Sequence, residues 1–203
     1  MDNVNMVNNA NYHHGNLREH IVKTAFQLLD EEGLDAIGIR KIARMLDVAH
    51  SAPANHFKSK QALLTALATE SFQHLATIVD KKVPQDKSSL REAIHYFCDT
   101  VLEFGLQYPN RYKLLWRREY ADYQNAELDE SMELIYSQLT TILSNHAQNK
   151  NIDVETQAIA LWSLIHGYVL LRLDGNLSEG FDKVTGIERQ SAIIDVLING
   201  IAL

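Results

Sequence analysis

The segment from residue 38 to residue 61, GIRKIARMLDVAHSAPANHFKSKQ, constrains the fold more than any other part of the sequence. The apolar residues near its start recur at the spacing of one helical face, namely Ile42, Ala43 and Leu46. Asp47 follows, and an aspartate tolerates the left-handed backbone conformation that often ends a helix. The small and polar residues 50–56 then predict a second helix that is too thin to build a core of its own. Two short helices joined by a tight turn indicate a helix-turn-helix.

The local charge of this segment is positive, although the whole chain has a formal net charge of −7 at pH 7. An acidic chain is a poor candidate for unspecific coating of DNA, so any DNA contact must be local. A helix-turn-helix places its second helix in the major groove and uses its first helix and flanks on phosphates. The predicted DNA-binding residues are therefore Arg40, Lys41, His50, Ser51, Ala52, Pro53, Asn55, His56 and Lys60.

The rest of the sequence carries apolar residues at helical spacing, with neither strand alternation nor an internal repeat. It predicts an all-α chain of about nine helices. The chain has 203 residues, 46% of them hydrophobic, which is enough for a sizeable core. Its single cysteine, Cys98, excludes an intrachain disulfide and a cysteine cluster for zinc. No metal and no cofactor are expected.

The domain organisation is predicted in three parts. Residues 1–11 are rich in asparagine and are expected to form a disordered tail. Residues 12–60 hold the helix-turn-helix, and residues 61–203 form a helical regulatory and dimerisation domain, with a linker at 84–87. Polar residues that favour helix starts predict N-terminal caps at Asn16, Ser59, Ser89 and Thr185.

The longest uncharged run, residues 158–171, has the sequence AIALWSLIHGYVLL. A membrane-spanning helix needs about 20 apolar residues, so this run predicts a buried helix rather than a membrane span. The N-terminus has no basic and apolar signal sequence, and we expect a cytoplasmic protein without a membrane partner. The helix is apolar nearly all round, which indicates that a partner subunit covers part of it.

Two stretches resemble a known family. IARMLDVAHSAPANHFKSKQALL is similar to the DNA-reading motif of the TetR family of bacterial transcriptional regulators, through Ile42, Ala43, Val48, His56, Phe57, Ser59, Lys60 and Leu63. LWSLIHGYVLLRLDG resembles a C-terminal signature of one TetR branch, through Trp162, His166 and Gly167. The chain departs from the usual motif by carrying Gly38, Asp47, Ala49 and Ala54.

The resemblance implies a homodimer that binds double-stranded operator DNA, joined through its last two helices. The residues expected at the dimer interface are Gly167, Ile193, Ile194 and Leu197. It also implies a site among the middle helices for an apolar or aromatic small molecule. The candidate effector residues are Phe97, Phe104, Tyr112, Trp116, Met132, Tyr136, Trp162 and His166. For any single one of them, ordinary core packing is the simpler interpretation.

Two other functional classes remain open at this stage. An enzyme is disfavoured because the sequence has no Gly-rich phosphate loop, no HExxH and no nucleophile or acid pair at diagnostic spacing. A DNA-bound adaptor that recruits a protein is the stronger alternative. A ligand-sized closed cavity would favour the small-molecule regulator, whereas a filled core with a large exposed apolar patch would favour the adaptor.

Overall fold

The computed structural model describes residues 17–82, 89–146 and 153–201. Within these residues lie nine α-helices, one short 3-10 helix at Leu34–Ala36, and a single β-bridge between Phe181 and Glu188. The helices are α1 (Leu17–Glu32), α2 (Ile39–Met45), α3 (Ser51–His56), α4 (Lys60–Lys82), α5 (Leu90–Gln107), α6 (Pro109–Leu115), α7 (Ala126–His146), α8 (Val154–Leu173) and α9 (Arg189–Ile201). The all-α prediction is confirmed. The expected tail, the Asn16 cap and the linker at 84–87 lie outside the described residues.

Helix starts follow the capping chemistry of the sequence in two of the three predicted places that the structure describes. Ser59 Oγ accepts a hydrogen bond from the backbone N–H of Ala62 at 3.0 Å, and Ser89 forms a reciprocal capping box with Glu92. The prediction for Thr185 is wrong, because α9 begins only at Arg189. The backbone N–H of Thr185 donates instead to Asp182 Oδ1 at 2.7 Å, in a turn that precedes the helix.

The long helix α4 is the centre of the molecule. It contacts α1 on one side and α5, α6 and α7 on the others, so it joins the helix-turn-helix to the remaining helices. The apolar residues that recur at helical spacing along it are all buried: Leu63, Leu64, Leu67, Phe72, Leu75 and Val79. Full burial of each such side chain contributes about 1.5–3 kcal/mol, which makes α4 a rigid support for whatever packs on it.

The turn between α2 and α3 is a Schellman motif. The backbone N–H of Asp47 bonds to Arg44 O at 3.2 Å, and that of Val48 bonds to Ala43 O at 3.0 Å. Asp47 has a φ of 53°, and it is the one non-glycine residue with positive φ in the described chain. The expected left-handed turn is thus present, with an aspartate carrying a backbone conformation that glycine adopts more easily.

We expect substitutions of Asp47 to change stability through this backbone conformation. Asp47→Gly should raise the free energy of unfolding by about 0.5 kcal/mol, since relief of the left-handed strain slightly exceeds the added chain entropy. Asp47→Val should lower it by about 1–2 kcal/mol, because a β-branched residue tolerates this region least. Urea titration would measure both, with Asp47→Asn as the control that keeps the turn. Equal stabilities for the glycine and valine variants would contradict this account.

A second connection joins α1 to α6 at the base of the regulatory helices. The Arg111 guanidinium binds the Asp30 carboxylate through two bonds, Nε to Oδ1 at 2.8 Å and Nη2 to Oδ2 at 2.5 Å. The same guanidinium lies over the rings of Phe26 and Tyr108, 4.3 Å and 4.5 Å from their centroids. Arg111 therefore ties the DNA-binding part to the body by both charge and stacking.

Helix α8 buries only part of its surface. Among the described residues it is the one helix long and apolar enough to cross a membrane, which is weak evidence because core helices of soluble proteins pass the same test. Its inner face, with Leu161, Ile165 and Val169, is buried against the other helices. Ile159 and Leu171 are exposed by 53% and 44%. The expectation of a buried helix therefore holds for one face only.

Candidate nucleic-acid interface and effector site

The second helix of the helix-turn-helix, α3, presents a polar face to solvent. His50 precedes it, and Ser51, Asn55 and His56 are exposed along it. Ala52 is half-buried and packs against the core of the domain. Pro53 is buried against the domain, and its predicted contact with DNA stays a prediction. The proline fills the space between α3 and the domain, and its neighbours carry the exposed polar groups.

The basic residues round α3 differ in how free their charges are. Arg40 is exposed, and no ion pair engages it among the described residues. Lys41 is half-buried and its Nζ lies 2.7 Å from the Glu32 carboxylate, which neutralises part of its charge. Lys60 Nζ donates to the carbonyl oxygen of Leu34 at 3.1 Å, which fixes the ammonium beside the turn. Lys60 keeps two further N–H donors for an anion.

A cavity of about 240 Å³ opens between α4, α7, α8 and the end of α6. It is lined by Phe72, Trp116, Asp129, Met132, Glu133, Ile135, Tyr136 and Trp162. Four of the eight predicted effector residues are among them: Trp116, Met132, Tyr136 and Trp162. Phe97, Phe104 and Tyr112 do not line this cavity, because all three are fully buried in the core beside it, and their effector role stays a prediction.

Aromatic rings form the inner wall of this cavity. The Trp116 and Trp162 rings meet edge to face with centroids 5.2 Å apart, and Phe72 meets Trp116 in the same way at 5.5 Å. Such edge-to-face pairs hold each ring in a defined orientation. The cavity is therefore a preformed aromatic site and not a gap left by loose packing.

His166 lies behind the wall and does not line the cavity. Its ring is 4.8 Å from that of Trp116, and its Nδ1 shares a hydrogen bond of 3.0 Å with the Tyr112 hydroxyl. Burial lowers the pKa of His166 and raises that of the Tyr112 phenol. Both groups are thus held neutral at neutral pH, and they support Trp116 from behind. In this structure His166 packs behind the cavity wall, and its role in binding an effector stays a prediction.

Sequence reasoning missed Phe72, Asp129, Glu133 and Ile135 in the cavity wall. A signal for two of them existed. Asp129 and Glu133 stand at helical spacing from the predicted residues Met132 and Tyr136, so all four share one face of α7. Charged residues on a helix are usually solvated, which is why these carboxylates gave no functional signal.

The outer faces of α8 and α9 carry apolar groups that the protomer leaves uncovered. No heavy atom lies within 4 Å of the position that a Cβ on Gly167 would occupy. On α9, Val196 is 75% exposed, and Ile193 and Leu197 are half-buried. Ile194 is only 1% exposed within one protomer, so it packs in the core of that protomer, and its predicted place in a dimer interface stays untested. The inward face of α9 belongs to the core, and the outward face is free.

Within the part of the chain that the structure describes, no three His, Cys, Asp or Glu side chains are grouped so that they could hold a metal ion.

Comparison with known proteins assigns the family. Residues 21–67 match the model of "Bacterial regulatory proteins, tetR family", and residues 94–192 match "Tetracyclin repressor-like, C-terminal domain". The chain belongs to the TetR family. The resemblance seen in the sequence is thus confirmed at both ends of this TetR-family protein. Members of the family are transcriptional regulators, which confirms the expectation that the chain is not an enzyme.

Curated relatives match this TetR-family chain chiefly through the DNA-binding region. It is 43% identical over 51 residues to the class C tetracycline repressor of Escherichia coli, which is 25% of this chain and 23% of that repressor. The chain thus spans about a quarter of the length of the curated relative it matches there. An uncharacterised HTH-type transcriptional regulator of Mycobacterium tuberculosis is 24% identical over 165 residues, covering 80% of this chain and 72% of the relative.

Solved structures share the whole fold. A protein of unknown function from Rhodococcus superposes with a TM-score of 0.76 at 23% identity, covering 94% of this chain and 98% of the other. FadR from Bacillus subtilis in complex with stearoyl-CoA gives 0.69 at 16% identity, with 90% and 98% covered. BioQ with its double-stranded DNA operator gives 0.60 at 20% identity, with 91% and 97% covered. At these identities the likeness concerns the fold.

Proposed function

We propose that this protein is a cytoplasmic, dimeric transcriptional repressor that binds a specific operator and releases it when a small molecule enters the cavity. In this proposal residues 12–60 read DNA and residues 61–203 sense and dimerise. The observation that carries it is the polar exposed face of α3 beside Arg40, which forms no ion pair with the residues that the structure describes, on a chain of the TetR family. The structural neighbours add support, since BioQ was crystallised with its operator and FadR with stearoyl-CoA.

In the DNA complex, base reading and phosphate contact fall to different residues. Asn55 and His50 are exposed on the face that would enter the major groove, and an asparagine can bond an adenine edge in two places. Arg40, Lys41 and Lys60 lie where α2 and the start of α4 would meet the sugar–phosphate backbone. Ala54 offers no hydroxyl to a phosphate, so these cations have to supply the backbone contacts.

This division of labour is testable with two variants. Arg40→Ala should weaken binding to operator and random DNA alike and reduce the slope of log affinity against log salt by about one unit. Asn55→Ala should relax sequence preference by about 1–3 kcal/mol, with little change in the salt slope. Fluorescence anisotropy at several salt concentrations would measure both effects. Lys81→Ala is the matched control, because it removes one positive charge at the far end of α4. It should change neither the salt slope nor the sequence preference.

The proposal fails if the protein selects no sequence from its own genomic DNA, or if Arg40→Ala and Lys81→Ala behave alike. Lys60→Ala is a useful third variant. Lys60 also donates a hydrogen bond to Leu34 O, so its removal can destabilise the fold. The thermal stability of the Lys60→Ala variant therefore has to be compared with that of the unchanged protein before a loss of DNA binding is attributed to a phosphate contact.

Dimerisation is proposed through the outer faces of α8 and α9, with Gly167, Ile193 and Leu197 in the seam. Two reading helices one DNA turn apart are needed because a single short helix makes few base contacts. The uncovered side chains of Val196 and Leu171 support this arrangement, since a large exposed apolar face is costly on a monomer. Gly167 leaves room for a close approach between helices.

A ligand causes release of the DNA only if it binds more tightly to the dimer in which the two α3 helices are too far apart or too close to fit the operator. To lower operator affinity tenfold, the ligand has to favour that conformation by about 1.4 kcal/mol. The cavity favours this sensing role over an adaptor without a ligand. One observation favours the adaptor, namely an exposed groove lined by Phe181, Val184, Ile193 and Val196. This groove is continuous with the outer face of α9, so the proposed dimer accounts for part of it.

A further inference from the structure

We propose that the cavity is selective for a small organic cation, with an ammonium group held at its mouth and an apolar body among the aromatic rings. This inference rests on the proposed sensing function and specifies the chemical class of its effector. It makes the sequence-based expectation of an apolar or aromatic ligand more specific by adding a positive charge. The shape, the charge and the ring chemistry of the cavity support it separately.

The charge of the cavity wall is negative. Asp129 and Glu133 line it, one turn apart on α7, and neither carboxylate forms an ion pair among the described residues. Among the described residues no lysine or arginine lines the cavity, and α7 carries four acids but neither lysine nor arginine. Two unpaired carboxylates at the edge of a low-dielectric site attract a cation and repel an anion. An acyl-CoA, which is strongly anionic, fits this wall poorly.

Two further carboxylates, from the start of α8, add to the negative field at Tyr136. The pKa of the Tyr136 phenol is raised by desolvation and by the charges of Glu155, Glu133 and Asp153. Glu155 lies in the first turn of α8 and Asp153 caps that helix, so acids of both α7 and α8 act on the Tyr136 ring that lines the cavity. The phenol therefore stays protonated and can accept a hydrogen bond from an ammonium group.

The ring chemistry suits the same ligand. Trp116, Trp162, Phe72 and Tyr136 line the cavity together, and the faces of such rings attract cations, tryptophan most strongly. The edge-to-face arrangement of the two tryptophans directs their rings along different axes. A substituted ammonium can then contact more than one ring, as quaternary ammonium ligands do in aromatic cages.

The volume sets the size of the ligand. An apolar cavity of about 150 Å³ in another protein binds benzene, whereas drug-sized ligands occupy about 300–1,000 Å³. At about 240 Å³ this cavity suits a molecule somewhat larger than benzene. Benzyltrimethylammonium has that size, and its uncharged isostere neopentylbenzene differs from it only in replacing the nitrogen by carbon.

Intrinsic fluorescence provides the readout, because the chain has two tryptophans and both line the cavity. Benzyltrimethylammonium should change the emission saturably and bind at least tenfold more tightly than neopentylbenzene. The anion 3-phenylpropionate should bind at least tenfold more weakly than the cation. Equal affinity for the cation and its isostere, tighter binding of the anion, or no binding of any probe would each overturn the proposal.

Variants of α7 locate the charge effect. The double substitution Asp129→Asn with Glu133→Gln should lower the affinity for benzyltrimethylammonium at least tenfold and change the affinity for neopentylbenzene by less than twofold. Glu130→Gln is the matched control, because Glu130 is exposed on the same helix and does not line the cavity. If Glu130→Gln lowers the affinity for the cation as much as Glu133→Gln alone, the effect comes from the overall charge of the protein and the proposal is wrong.

Operator binding without ligand, measured on the same preparations, separates this inference from the proposed function. A protein that binds its operator and is released by neopentylbenzene or 3-phenylpropionate, and not by the cation, keeps the regulatory function and loses the cation selectivity. A protein that binds the cation with the expected selectivity and binds no DNA keeps the inference about the cavity and loses the regulatory function.

Discussion

Gly167→Arg and Val196→Glu variants should sediment as folded monomers at a micromolar concentration at which the unchanged protein is a dimer. Both positions face outward on one protomer: Gly167 has open space round its missing Cβ, and Val196 is 75% exposed. A charged side chain at either position therefore leaves the protomer intact. Placed against a second copy, it would bury a charge without a partner, which no dimer of modest affinity tolerates.

The loss of the dimer should lower operator affinity about 100-fold or more, because two linked half-site contacts become one. Leu134→Glu is the matched control, since Leu134 is an apolar residue of α7 that is 49% exposed and lies outside the proposed seam. Ile194→Glu is the contrasting control: Ile194 is buried in its own protomer, so this variant should unfold and not merely dissociate. If the Gly167→Arg and Val196→Glu variants are still dimers, the proposed interface through α8 and α9 is wrong.

Arg111→Ala should lower the free energy of unfolding by about 2–3 kcal/mol, the largest effect expected of any single ion-pair residue in the chain. The side chains of Arg111 and Asp30 are 17% and 33% exposed, so their pair is less screened than an ordinary surface pair. Truncation also removes the stacking on Phe26 and Tyr108. Arg111→Lys keeps the charge but not the planar fork, and should recover less than half of the loss.

A double-mutant cycle between Arg111→Ala and Asp30→Ala in urea would isolate the pair, with an expected coupling of about 1–2 kcal/mol. Arg117→Ala is the matched control. Arg117 has an exposed side chain 3.8 Å from Glu119 and 6.0 Å from the Tyr120 ring, and its loss should cost less than about 0.5 kcal/mol. A coupling indistinguishable from zero would mean that α1 and α6 are held together by apolar packing alone.

Local features of the sequence predicted much of the helix-turn-helix and of the helix starts. Asp47 occupies the left-handed turn, Ser59 and Ser89 cap their helices, and Phe72 and Leu75 face inward on α4, all as the residues indicate. Each of these depends on neighbours within a few positions along the chain. The prediction for Thr185 failed because its backbone N–H and its hydroxyl both donate to Asp182 Oδ1, which holds Thr185 in a turn four residues before the start of α9.

The sequence by itself determined the fold class and the position of the second helix of the helix-turn-helix, because helical periodicity and turn residues are set by residues close in the chain. The resemblance of two motifs indicated the family. Only the tertiary structure decided which face of an apolar helix is inside. Ile194 and Val196 look alike in the sequence, yet one is buried and the other exposed, because the rotation of α9 is fixed by packing on α5 and α8. The cavity is likewise a tertiary property: its rings and its two carboxylates come from helices far apart in the chain, and no local pattern could bring Trp116 to Glu133.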